Sequence, residues 1–132
     1  MAIQNPYSAS NSNLGAVVTL TAASAGVNSA DLVNPVQRGV RIGINVTAIS
    51  GTSPTLTVTI QGKDVASGVY YTILASAAIT ATGFTSLVVY PGITLVANET
   101  ADGPLPNTWR ISTAIGGTTP SVTATITASM QA

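Results

Sequence analysis

Apolar residues recur at every second position over long stretches of this chain, and that period confines it to β-structure. Over residues 38–49, Val40, Ile42, Ile44, Val46 and Ala48 alternate with Arg41, Gly43, Asn45 and Thr47. Leu56, Val58 and Ile60 alternate with Thr55, Thr57, Thr59 and Gln61, and Val122, Ala124, Ile126, Ala128 and Met130 alternate with Thr123, Thr125, Thr127 and Ser129. Successive side chains of a strand point to opposite faces, so each stretch reads as a strand with one buried and one solvent face. The residue types agree, because the two heavy substituents on Cβ of Val, Ile and Thr favour extended backbone. A helix would need a 3.6-residue period over about three turns, and no window keeps it; residues 29–34 suit a single turn ended by Pro35.

Turn signals divide the chain further. Ser50-Gly51-Thr52-Ser53-Pro54 reads as the turn of a hairpin joining the first two alternating stretches. A loop over 62–68 precedes a third strand over 70–78, with Tyr71, Ile73 and Ala75 on one side. A fourth strand over 85–90 is stopped by Pro91-Gly92, and a short strand is expected over 93–97. Residues 98–107, with Gly103, Pro104 and Pro106, read as a loop. Trp109, Ile111 and Thr113 then alternate up to a turn at Gly116-Gly117. With a further strand over 16–22 the count is seven or eight, at the spacing of a β-sandwich or jelly roll. The expected fold is therefore all-β, a single sandwich or jelly-roll-like domain over residues 17–132. A chain of 132 residues is long enough for one such core.

Residues 1–16 read as an extended N-terminal arm. They are polar and turn-rich, and their larger apolar residues, Ile3, Pro6, Tyr7 and Leu14, are too scattered to define a face. Terminal segments of this kind become ordered only when something ties them down, so a neighbouring subunit is the expected support.

Composition narrows the function. The chain has no His and no Cys. The usual general base, proton shuttle, thiol nucleophile and nitrogen or sulfur metal ligands are missing, and no disulfide is possible. Asp64, Glu99 and Asp102 are the carboxylates a glycosidase would draw on, but Asp64 and Asp102 sit in Gly-containing loops where Asp ordinarily stabilises turns. Glu99 and Asp102 alone are too few for calcium. No catalytic, cofactor or metal site is expected, and the protein reads as a non-enzyme. Four basic and four acidic residues give zero net charge, with no basic stripe for a nucleic-acid backbone and little repulsion between copies. No stretch approaches the roughly 18 apolar residues of a membrane span, and the first residues lack a basic, then apolar leader, so synthesis in a cytoplasm and no membrane partner are expected. Trp109, beside Ile111 on an alternating strand, reads as a core or interface anchor before a sugar-stacking platform.

The arm followed by RGVRIGINVTAISGTSPTLTVTIQGKD, SAAITATGFTSLVVYPGI and LPNTWRISTAIGGTTPSVTATITASM resembles small virion proteins of tailed bacteriophages, most of all capsid decoration (cement) proteins, over about residues 36–130. The resemblance implies a sandwich protomer, commonly a homotrimer, that sits on the exterior of the capsid and bridges its subunits. The major capsid protein and further copies of the chain would be its partners. Ile3, Pro6, Tyr7, Leu14 and Trp109 are then the expected subunit or capsid contacts. The rival expectation is a tail or fibre sandwich that binds a host-surface glycan through exposed Trp109 and tyrosines.

Overall fold

Two very long strands organise the molecule. The computed structural model describes residues 12–132 and contains seven strands: β1 Ser12–Ala23, β2 Leu32–Val33, β3 Gly39–Asp64, β4 Val69–Ala75, β5 Gly83–Tyr90, β6 Thr100–Asp102 and β7 Thr108–Gln131. The described residues include no helix. The sheet order is β1-β7-β3-β5-β6, with β2 added to β7 and β4 to β3. All pairs are antiparallel except β5 with β6.

At 26 residues, β3 would be about 85 Å long if straight, whereas a chain of this length packs to a radius of gyration of about 14 Å. It must bend, and so must β7. The bend lies where the β3–β7 register slips, between Val46 and Ala48 and again between Ser50 and Thr55. Bulges of this kind bend a strand and increase its twist. Gly51 (φ 120°) in β3 and Gly117 (φ 108°) in β7 meet the bend with backbone angles that a side chain resists. The sequence Ser50–Pro54 is therefore not the turn of a hairpin. The stretches on either side of it are collinear halves of one strand, because β7 continues as their common partner through Thr52↔Thr118 and Thr55↔Gly116. For the same reason Gly116-Gly117 does not reverse the chain.

Folding the sheet across this bend gives two layers. The larger contains β1, the C-terminal half of β7, the N-terminal half of β3, β5 and β6; the smaller contains β2 and β4 with the other halves of β7 and β3. Val40, Ile42 and Ile44 from the larger layer and Leu56, Val58 and Ile60 from the smaller are all 0% exposed and belong to one apolar cluster. Neither inner face could be this dry unless the other covered it, so the sandwich is one open sheet folded over on itself. Each such side chain contributes about 1.5–3 kcal/mol by leaving water.

Four local expectations change. β1 begins at Ser12, paired with Met130, so residues 12–16 of the expected arm belong to the sheet. Residues 1–11, which include Ile3, Pro6 and Tyr7, lie outside the described residues. Residues 93–97 form no strand, and the chain first runs beside β5 at β6, inside the expected 98–107 loop. The segment 29–34 is extended and not helical, because hydrogen bonds from the Ser29 amide to Ile111 O (2.8 Å) and the Asn34 amide to Asn107 O (2.7 Å) hold it to the edge of β7. In β4 a register slip separates Thr72 from Leu74, which breaks the common face expected for Tyr71, Ile73 and Ala75 and buries Leu74 instead.

Candidate functional site: the outer face of the larger layer

The alternation that buries Val40, Ile42 and Ile44 turns Arg41, Gly43 and Asn45 outward. The pairing register aligns them with neighbours in three rows: Asn13, Ser129, Arg41 and Val88; Ala16, Thr127, Gly43 and Ser86; Thr19, Thr125, Asn45 and Phe84. With β6 beside Val88, the face is five strands or about 19 Å across. It is made almost entirely of small uncharged side chains. Phe84, the protein's one phenylalanine, is 69% exposed and leans over Gly43. A Cβ at Gly43 would lie 2.9 Å from Phe84 Cζ and 2.8 Å from Thr127 Oγ1, so only glycine lets the ring lie this close to the sheet.

Arg41 stands exposed in the middle of this face and makes no side-chain hydrogen bond or ion pair with any described residue. Two shallow grooves flank it. One, of about 290 Å³, is floored by Gly43 and Thr127 and walled by Phe84 and Asn13. The other, of about 480 Å³, is walled by Val88, Tyr90, Pro91 and Ile93. A surface of short hydroxyl and amide side chains costs less to dehydrate than a charged one, a planar guanidinium selects a carboxylate geometrically, and an exposed aromatic ring supplies an anchor. The arrangement suits docking, and no pair of groups on it is placed for bond-making chemistry.

The smaller layer carries a different constellation on its own outer face. Lys63 Nζ lies 2.8 Å from Asp31 Oδ2, and the Tyr70 hydroxyl donates to Asp31 Oδ1 at 2.6 Å. The Arg110 guanidinium stacks 3.4 Å from the Tyr70 ring centre, and its Nε donates to Gln61 Oε1 at 2.8 Å. The hydrogen bond from Lys63, then that from Tyr70, holds the Asp31 carboxyl below the usual aspartate range, and the same contact with Asp31 raises the Lys63 ammonium. These groups engage one another across the outer face. Nothing in the local pattern signalled the cluster, since Asp31 meets Lys63 and Tyr70 only through the packing of β2, β3, β4 and β7.

Of the expected contact residues, Leu14 is 36% exposed on β1. Trp109 is 0% exposed and lies within the core, so of its two expected roles the structure assigns the core one. It presents no surface to a neighbouring subunit or to a sugar. Asp64 accepts a hydrogen bond from the Ser67 hydroxyl (2.6 Å), a contact within its turn, whereas Asp102, at the end of β6, accepts one from the Gly92 amide (2.6 Å) ten residues earlier. The described residues contain no group of three acidic or other metal-ligating side chains.

No protein-family profile matches the chain, and no curated protein matches its sequence. Among solved structures, a chain in the structure of infectious bursal disease virus, Gx strain, is similar with a TM-score of 0.46 and 13% identity. The match covers 92% of this chain and 32% of that one, so this chain spans about a third of its length.

Proposed function

We propose that the chain is a structural virion protein that decorates the exterior of a bacteriophage head and stabilises it by bridging capsid subunits. The observation that carries this reading is the five-stranded outer face, small in side chain and charged only at Arg41 and, on its edge strand, Asp102. It offers a wide docking surface and no reaction centre. A protein that binds only the assembled lattice stabilises that lattice by mass action, with no chemistry required. Zero net charge favours a long-lived assembled state over a freely circulating monomer. The sequence resemblance to cement proteins points the same way, toward the major capsid protein and further copies of this chain, as a trimer, as partners.

The test is a binding assay with purified protein on heads that lack it and, in parallel, on host cells. Saturable binding to heads with raised resistance of the heads to heat is the expected result. Binding to cells but not to heads would replace this reading with the glycan-recognition one, already weakened by the burial of Trp109. Removing residues 1–11, which leaves β1 complete, measures what the arm adds to head affinity.

A further inference from the structure

Among the charged side chains of the described residues, Glu99 on a loop, Arg41 on the grooved face and Arg38 just ahead of β3 have no hydrogen-bond or ion-pair partner. Asp31 is held by Lys63 and Tyr70, Asp64 by Ser67 and Asp102 by the Gly92 amide, but the Glu99 side chain bonds nothing. Arg41 is likewise without a partner. The two cannot meet within one chain. Arg41, Val88 and Thr100 share a row on the outer face, whereas Glu99 lies with Thr85 and the 77–81 segment, and Thr85 pairs with the buried Ile44 on the opposite side of β5.

The loop that carries Glu99 is apolar and rigid. Leu95 is 69% and Val96 43% exposed. The Val96 amide donates to Thr100 Oγ1 and the Thr100 hydroxyl to Thr94 O, each at 2.7 Å, while the Glu99 and Thr100 amides both donate to Val96 O at 3.1 and 3.0 Å. This is a knob braced from inside, with two exposed aliphatic side chains and one unpaired carboxylate. The Arg41 face has the matching inverse, an unpaired guanidinium between grooves walled by Phe84 and Val88.

We infer that the 94–99 knob docks on the Arg41 face of a second copy of this chain, pairing Glu99 with Arg41 and seating Leu95 and Val96 in the adjoining grooves. Charge complementarity selects the occupant, since the knob offers a carboxylate that no hydrogen bond engages and the grooves are lined by Arg41, whereas Arg38, the other unpartnered cation, lines neither groove. The knob's backbone is braced before contact, so the ordering cost falls on the Arg41 and Glu99 side chains. Knob and face are different surfaces, so the contact is heterologous and copies add head to tail instead of pairing about a two-fold axis. This contact stands independently of the virion reading, because a chain could self-associate in this way without binding a head, and the reverse.

The experiment is the molar mass of the full chain in solution, by light scattering and sedimentation over a concentration series, with circular dichroism as the check of folding. The wild type is expected to exceed two protomers in mass. Arg41→Glu and Glu99→Arg, both exposed changes, should each weaken association by about 30-fold or more, and combining them should restore it. Leu95→Ser should weaken association without altering its salt dependence. A wild type that stays monomeric, a mass unaffected by either single change, or a double variant no better than the singles would overturn the inference.

Discussion

Trp109 gives the sharpest quantitative test of the packing. Its indole is fully buried, and its Nε1–H has no hydrogen-bond acceptor among the described residues. A buried donor without a partner costs about 1–3 kcal/mol. Replacing Trp109 by Phe removes that donor, and it also removes about two buried ring carbons, worth about 1.6 kcal/mol at 0.8 kcal/mol each, with a modest further loss from the space left behind. The two effects oppose each other, so Trp109→Phe should change stability by no more than about 1 kcal/mol, a melting shift of about 5 °C or less for a chain of this size. Trp109→Ala, which has no compensating gain, should cost about 3–5 kcal/mol. Urea unfolding followed by far-ultraviolet circular dichroism measures both. If Trp109→Phe costs about 3 kcal/mol or more, the indole N–H is hydrogen-bonded in solution and the reasoning fails.

Three further outcomes follow from other parts of the fold. Ile126→Ala, at a fully buried position between Val18 and Ile44, should cost about 2–5 kcal/mol, whereas its exposed neighbour Thr127→Ala should stay within about 0.5 kcal/mol; similar losses in urea unfolding would contradict the inside–outside assignment. Gly117→Ala puts a Cβ at φ 108° and 2.7 Å from Ser53 O, so a loss of about 2 kcal/mol or more is expected in calorimetry, and a neutral result would remove the argument that glycine is required at the bend. Asp31, held low, adds stability that is present above its unfolded value and fades as pH falls through the folded one; Lys63, held high, adds stability that is full below its unfolded value and fades as pH rises through the folded one. Lys63→Met should therefore move the Asp31 titration upward in carboxyl-carbon NMR, and an unmoved midpoint would show that the pair does not form in solution.

The strand content and the inner face were legible because they depend on a two-residue period that survives whatever the strands pair with. Every apolar member of the Val122–Met130 stretch is buried, as its alternation required. Hairpin connectivity was not legible, because Gly51 and Pro54 carry the same local signal in a bulged bend as in a reversal. The difference lies in β7, more than fifty residues away, which presents its own glycines at the matching point of the ladder. The outer face was half legible: the Thr, Ser and Asn positions were assigned outward, but the rows that gather Arg41, Phe84 and Thr127 around Gly43 depend on register across four strands. Trp109 fell to the core for the same reason, since its position opposite Gly62 and Leu32 decides its burial.

By itself, then, the sequence determined the class of fold, the inner set of side chains and the absence of His and Cys chemistry, because backbone alternation and residue inventory are local properties. Only the tertiary structure decided that one sheet folds over to form both layers, that Asp31, Lys63, Tyr70 and Arg110 engage one another, and that Arg41 and Glu99 are left unpaired on opposite sides of β5. Those outcomes depend on which distant segments share a ladder, and pairing energy between strands is carried by neighbours that the one-dimensional order keeps far apart.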